Sequence, residues 1–276
     1  MLNSTVLEVA FGLVFCFASV ALIASSVYEA LASWMNLRAK TLLEGLKHLL
    51  NANDDAGKTL LLNIYNHALA HPTGNGTATS LEELENNPSY MDADHFAIAL
   101  VEAVQSAPND FAKLSADIDT IPNAQIRQLL RGLYDRAAGD AKRFHDDLAA
   151  WFDSAMDRVS GSYKRQSQAW CFVIAFAFSA SFNVDSVHLF SALWQHPSLV
   201  AQISMSSATP DSVSALKGLN ELPIGWQNDI NRFSLIGWLI TATAALFGAP
   251  FWFDLLQKLI RLRGTGPKPS AQTGEK

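Results

Sequence analysis

Long uncharged stretches alternate with polar sequence of helical periodicity along this chain. Three such stretches occupy residues 9–28, 166–184 and 233–253. A helix rises about 1.5 Å per residue, so about 20 apolar residues cross the roughly 30 Å hydrocarbon core of a bilayer. The pattern therefore predicts three membrane-spanning helices, the second extending to about residue 185 and the third to about residue 256.

The first stretch has a second interpretation, a secretory signal that is cleaved from the mature chain. Ala30 and Ala32 have the small side chains of a cleavage site. Against cleavage, the residues before the stretch include Glu8 and no Lys or Arg, and the apolar run exceeds the ~7–15 residues of a signal sequence. We therefore favour a retained transmembrane helix.

Residues 34–165 have the periodicity of amphipathic helices and none of the alternation that strands show. Leu42, Leu46 and Leu49 share one helical face, and Leu61 and Tyr65 share another. A segment of this length can bury its own core. The sequence therefore predicts an all-α fold, with a helical domain between the first and second transmembrane helices.

Lysine and arginine flank the three stretches unequally, which predicts the topology. One side of the membrane would carry Arg38, Lys40, Lys47, Arg158, Lys164, Arg165, Lys258, Arg261, Arg263 and Lys268, and the other only Lys217 and Arg232. The positive-inside rule then places the N-terminus outside and the C-terminus in the cytoplasm. The three spans lie in the predicted segments 1–33, 166–185 and 233–256. The sequence predicts a cytoplasmic domain at 34–165 and an extracytoplasmic loop at 186–232. Residues 257–276 are predicted to be a basic, disordered tail.

Charge and cysteine content narrow the function further. The formal net charge is −6, whereas a nucleic-acid-binding protein needs a basic face, so we expect no nucleic acid partner. Cys16 and Cys171 lie inside apolar stretches at different predicted depths, which argues against a disulfide between them.

Several motifs occur in an order that resembles a known family. They are WFD at residues 151–153 followed by MDR and YKR, LPIGW at 222–226, and GAPFWFDLL from residue 248. Together they resemble a family of uncharacterised bacterial inner-membrane proteins with three predicted spans, over most of residues 28–266. The resemblance leads one to expect His-Pro after Tyr65-Asn66, where this chain has His67-Ala68 and a later His71-Pro72. It implies a bacterial inner-membrane location and no assigned activity.

Charged residues are expected at the cytoplasmic end of each span. They are Glu29, Arg158, Lys164, Arg165 and Asp254. Opposite charges at one depth attract more strongly where the dielectric is low, so they could form a gate or coupling point. The simpler interpretation, which we favour, is that they fix topology, with long side chains reaching the headgroups.

Small and weakly polar residues recur at helical spacing within two of the spans. If the second helix continues, Ala175, Ser179 and Asn183 form one stripe, and Gly237, Thr241 and Ala245 form another on the third. Small residues let helices approach closely. We expect these stripes to be packing surfaces within or between subunits, the alternative being a pore lining in an oligomer.

Other features of the sequence give weaker predictions. Gly248 and Pro250 predict a kink near the inner end of the third span, because proline removes a backbone hydrogen bond to position 246. His67 and His71 have i, i+4 spacing that could bind a metal from one helical face. No phosphate-binding loop, zinc-protease motif or serine nucleophile motif occurs.

The sequence therefore favours a membrane-anchored interaction or scaffold protein that self-associates or binds a cytoplasmic protein. We expect no enzymatic activity, no cofactor and no metal. The alternative is a subunit of a small oligomeric channel or transporter. Charges that lie only at the ends of the spans favour the scaffold, because conducting proteins carry ionisable groups inside the bundle.

Overall fold

The computed structural model describes residues 5–84, 88–108, 110–196, 222–226 and 234–264. Within these ranges the chain forms ten helices and no strand, so the predicted all-α fold is confirmed. The helices are α1 (Thr5–Trp34), α2 (Leu37–Leu49), α3 (Asp55–Asn66), α4 (Ala93–Val104), α5 (Phe111–Asp119), α6 (Ala124–Ala137), α7 (Ala141–Ser181), α8 (Ser186–Gln195), α9 (Ser234–Ala245) and α10 (Ala249–Gly264). Most of the predicted loop 186–232 and the end of the tail lie outside the described residues.

The chain divides into two compact units. One, which we call the helical domain, is Ala32–Arg165. The other, which we call the apolar unit, combines Met1–Leu31 with Gln166–Lys276. Helices α1 and α7 each belong partly to both units.

Polar side chains at the helix starts account for the short helices of the helical domain. Asp54, Asp92, Asp110 and Asn123 each accept a hydrogen bond from a backbone N–H in the first turn of the helix that follows. A helix leaves its first N–H groups without internal partners, and such a cap stabilises it by about 1 kcal/mol. These residues therefore set where α3 to α6 begin.

Apolar side chains from all these helices form one core in the helical domain. Leu46, Ile64 and Phe96 are completely buried, and the Phe96 ring stacks on that of Phe152 with centroids 4.0 Å apart. Most polar residues of the domain lie outside this core, with His71 and Asn123 as buried exceptions.

In the apolar unit, only α1 is by itself long and apolar enough to cross a membrane, among the residues described. Two pairs of consecutive helices, each joined at a bend, would also be long and apolar enough if each pair were counted as one span. Helix α7 and α8 meet at 54°, and α9 and the part of α10 to Arg261 meet at 94°. The number of crossings is therefore between one and three by length and composition.

The second apolar helix ends earlier than residue 185, where the sequence placed the end of the second span. Helix α7 ends at Ser181, because Asn183 adopts the left-handed conformation, with φ 49°. The Val184 N–H then donates to the Ser179 carbonyl at 2.8 Å, which ends the helix. Asp185 is the N-cap of α8. An asparagine can adopt this conformation at lower cost than most residues.

Candidate functional site

The break between α7 and α8 is enclosed by side chains from other parts of the apolar unit. The indole N–H of Trp226 donates to the Ser181 carbonyl at 2.8 Å. The Thr241 hydroxyl lies 3.1 Å from the Val184 carbonyl oxygen and 2.9 Å from that of Gly237. A break in a helix frees backbone carbonyls, and in a lipid environment only protein groups can satisfy them.

Asn183 connects this break to two further segments. Its side-chain amide donates to the Gly225 carbonyl at 2.8 Å, and its side-chain oxygen accepts the Trp238 indole N–H at 3.1 Å. The Trp226 and Trp238 rings also meet edge to face, with centroids 6.1 Å apart. One asparagine therefore holds α7, the 222–226 segment and α9 together.

Asp185 and Ser186 attach the start of α8 to α9. The Asp185 carboxylate is buried and accepts the N–H groups of Val187 and His188, at 2.9 and 3.1 Å. The Ser186 hydroxyl donates to the Gly237 carbonyl at 3.0 Å. A β-carbon at Gly237 would collide with the Asp185 carboxylate, so the two helices approach closely only because this residue is glycine.

The small residues of the two predicted stripes are mostly buried in the apolar unit. Ala175, Ser179 and Thr241 are completely buried, and Ala245 is nearly so. Asn183 does not continue the first stripe, because the helix has ended before it and its side chain points into the junction. The carbonyl of Gly237 accepts the Ser186 hydroxyl, and the Thr241 hydroxyl bonds the Val184 carbonyl, so the second stripe faces the start of α8.

The second break lies at Leu246–Gly248, where the sequence predicts a kink. Gly248 has φ 82°, and the N–H groups of the three residues that follow α9, Leu246 to Gly248, bond carbonyls three residues earlier. Pro250 lies in the first turn of α10, where a missing N–H costs no helix bond, so proline permits the new start and does not itself remove the bond to position 246. The Trp252 indole satisfies the Ala244 carbonyl at 2.7 Å.

The apolar unit carries most of the exposed large hydrophobic side chains in the described part of the chain. On α8 and α9 they are Val187, Phe190, Trp194, Leu235, Ile236, Leu239 and Ile240, and near the second break they are Leu246, Phe247 and Phe251. In the helical domain they are Trp34, Met35, Leu69 and Tyr90. Exposed apolar residues that are neighbours on one helix, as Leu235, Ile236, Leu239 and Ile240 are on α9, are typical of a surface that contacts lipid or another protein.

The predicted interface charges are all exposed. Glu29 and Asp254 belong to the apolar unit, and Arg158, Lys164 and Arg165 to the helical domain. Arg165 donates to the Ser162 hydroxyl one turn earlier, at 3.0 Å. Exposed, solvated side chains of this kind suit both a topological role and attraction to a charged surface.

The two histidines do not form the predicted helical pair. Helix α3 ends at Asn66, because the Asn66 side chain bonds both backbone groups of Ala78, at 2.8 and 3.0 Å. His67 follows the helix and pairs with Glu102 at 2.9 Å, whereas His71 is buried beside the Tyr65 ring. Within the described residues, no three His, Cys, Asp or Glu side chains converge to hold a metal.

A cleft of about 290 Å³ opens on the helical domain. Its apolar floor includes Leu42, Met91, Phe152 and Met156. Its remaining lining residues are Arg38, Thr41, Ser89, Tyr90, Asp153, Asp157, Val159, Ser160 and Tyr163. We call this cleft the α2–α7 groove, because those two helices form its opposite walls.

No family model, curated protein or solved structure matches this chain. The family resemblance described above therefore stays an expectation.

Sequence reasoning missed the role of Trp226, Trp238 and Trp252 as donors to broken helices. The sequence by itself indicates no hydrogen-bond partner for these three side chains. A local signal for the first break was nonetheless present, since Asn183 suits a left-handed helix end and Asp185 suits a helix start. The partners of these residues follow only from the tertiary structure.

Proposed function

We propose that this chain is a bacterial inner-membrane protein whose apolar unit anchors a helical interaction domain, and that it acts as a scaffold that binds a cytoplasmic protein or a second copy of itself. One observation carries the proposal, namely the unequal distribution of exposed apolar side chains between the two units. The apolar unit presents Phe190, Trp194, Leu239 and Phe247 to its surroundings, as a surface solvated by lipid does.

The proposal includes three crossings, with the N-terminus outside and the C-terminus in the cytoplasm. Each bent pair then forms one crossing, with its break enclosed by protein. The bonds from Trp226, Thr241 and Trp252 to freed carbonyls support this, because irregular backbone is tolerated at membrane depth only where other groups satisfy it. The distribution of Lys and Arg supports the orientation.

A channel or transporter subunit is the second candidate, and the broken helices favour it. Transporters place binding sites where such helices are interrupted. Here, however, the polar groups of the break bond one another: Asn183 holds Gly225 and Trp238, and Asp185 caps its own helix. Apart from the buried Ser179 hydroxyl, which has no hydrogen-bond partner among the described residues, the donors and acceptors of the break are used internally and few are left for a solute, so we prefer the scaffold.

Two measurements test the proposal together. The full-length protein, expressed in a bacterium, should stay in the membrane fraction after alkaline carbonate extraction. A photo-crosslinking amino acid at the exposed Tyr90 should then give a discrete protein adduct, identified by mass spectrometry as this chain or as one other protein. Release by carbonate would refute the membrane anchor. A membrane-bound protein that gives no adduct at Tyr90 or at other exposed domain positions, and conducts ions in liposomes, would establish the second candidate instead.

A further inference from the structure

The α2–α7 groove has the features of a binding site that the packing of the domain does not require. Asp153 and Asp157 are one helical turn apart on α7, and both are exposed at the groove. Residues with this spacing lie on one helical face, with β-carbons about 5–6 Å apart. Neither carboxylate has a hydrogen bond or an ion pair among the described residues, so both are available to a cation.

The apolar part of the groove suits one large side chain. Leu42 and Phe152 form buried parts of its floor, with Met91 and Met156 beside them. Methionine side chains adapt to varied apolar shapes, which is why they recur at peptide-binding surfaces. Tyr90 stands at the groove with 72% of its side chain exposed, although an aromatic ring gains free energy on burial.

Tyr163 supplies an unsatisfied polar group at the same place. Its hydroxyl is buried and has no hydrogen-bond partner among the described residues. Most buried polar atoms in proteins have such a partner, and an unmade bond costs about 1–3 kcal/mol. Because the hydroxyl has almost no accessible surface, Tyr163 contributes its ring to the groove, and its hydroxyl is not counted among the ligand contacts.

We propose that the α2–α7 groove binds a basic peptide segment of a partner protein, in which Lys or Arg lies next to a large apolar side chain. The cation pairs with Asp153 and Asp157, and the apolar side chain enters between Leu42 and Met156. The lining carries two carboxylates, Asp153 and Asp157, against one basic residue, Arg38, so its net negative charge disfavours acidic peptides and anionic headgroups. This inference rests on the proposed interaction function and names the chemistry of the partner.

The test uses the full-length protein in detergent and a displayed library of random short peptides. Peptides that contain Lys or Arg beside Leu, Phe, Met or Trp should be enriched on the wild-type protein. A synthetic peptide from that set, fluorescently labelled, should bind saturably in an anisotropy titration, and more weakly as salt concentration rises.

The double variant Asp153→Asn and Asp157→Asn should weaken this binding by about tenfold or more, because charge-assisted bonds are stronger than neutral ones. The control is Asp55→Asn with Glu82→Gln, which removes two exposed carboxylates of the same domain outside the groove. Ser160→Trp gives a second, uncharged test, since it fills the groove and should abolish binding. Circular dichroism confirms that each variant remains helical.

Three results would overturn the inference. They are a library that yields no basic, apolar consensus, equal losses in the groove variant and the control variant, and full binding by Ser160→Trp. None of them affects the carbonate extraction, which tests the membrane anchor independently of the groove. The groove assignment can therefore fail while the proposed membrane scaffold stands, and the scaffold can fail while the groove still binds peptide.

Discussion

Gly237 passes the Asp185 side chain so closely that a β-carbon at Gly237 would lie 2.5 Å from the Asp185 carboxyl carbon. Asp185 cannot easily withdraw, because its carboxylate caps α8 through the N–H groups of Val187 and His188. The start of α8 and the first turns of α9 are therefore locked together by a glycine and an aspartate that are far apart in the sequence.

Gly237→Ala should destabilise the apolar unit, although alanine is normally the better helix former by up to about 1 kcal/mol. The added methyl group must push α8 and α9 apart or break the cap. The measurement is thermal unfolding of the full-length protein in detergent. Gly132→Ala is the matched control, since a β-carbon there meets only the Arg136 side chain at 3.8 Å, and it should stabilise or leave the protein unchanged. Equal behaviour of the two variants would contradict the close approach.

Thr241→Val should also destabilise the apolar unit, by about 1 kcal/mol, which is typical of a polar contact between helices in lipid. Valine has nearly the same shape but cannot bond the carbonyls of Val184 and Gly237. Thr241→Ser keeps the hydroxyl and should recover part of the loss. Thr243→Val is the control on the same helix, because Thr243 is exposed. The readout is again the unfolding temperature in detergent, and an unchanged value for Thr241→Val would show that the hydroxyl is dispensable.

The helical domain should lose stability at acidic pH in part through Asp117. Backbone and side-chain hydrogen bonds from Ser106 hold the pKa of Asp117 below its ordinary value. A carboxylate whose pKa is lower in the folded state stabilises the fold above the ordinary pKa of about 3.9, and this contribution disappears as pH falls towards the folded-state pKa. Asp117→Asn should flatten the acid limb of a stability-against-pH curve, followed by circular dichroism. A parallel curve displaced equally at all pH values would refute the linkage.

The proposed topology can be tested by labelling single cysteines in intact cells. Cys16 and Cys171 are first changed to Ala, which leaves a background without thiols. A cysteine at Ser212 should then react with a membrane-impermeant thiol reagent, and one at the exposed Ser154 of α7 should react only after the cells are permeabilised. The reverse pattern would invert the orientation. A mature chain that began near Ser33 would establish the cleaved signal instead.

The sequence predicted the parts of this fold that depend on local pattern. Helical periodicity indicated the helical domain, since Leu42 and Leu46 on α2, and Leu61 and Tyr65 on α3, recur at the spacing of one helical face and are buried. The helix breaks were harder to predict, because the absence of charge along a stretch indicates its length and composition but not where a helix ends within it. Asn183 counts as uncharged, yet its conformation ends a helix, and its partner Trp238 lies 55 residues later. Such a pairing depends on tertiary structure and leaves no periodic signal.

The histidines illustrate the same limit in the helical domain. Pro72 suggested that α3 continues to His71, and that His67 and His71 share its face. The helix instead ends at Asn66, whose side chain bonds Ala78 twelve residues later. The end of α3 is therefore set by the tertiary hydrogen bonds between Asn66 and Ala78, and not by Pro72 six residues later. The α2–α7 groove was missed for a related reason, since its walls come from segments separated by more than a hundred residues.

Asn183 has two separable roles, a left-handed backbone and a side chain that bonds two segments, and two substitutions distinguish them. Asn183→Gly keeps the left-handed backbone conformation accessible and removes the bonds to Gly225 and Trp238. It should therefore lower the free energy of unfolding by about 1–2 kcal/mol. Asn183→Ala removes the same bonds and adds the strain of a β-carbon at φ 49°, about 1–2 kcal/mol more. The unfolding temperature in detergent should therefore fall in the order wild type, Asn183→Gly, Asn183→Ala. If Asn183→Ala equals Asn183→Gly, the backbone is not held left-handed, and α7 runs on into α8 as one continuous span.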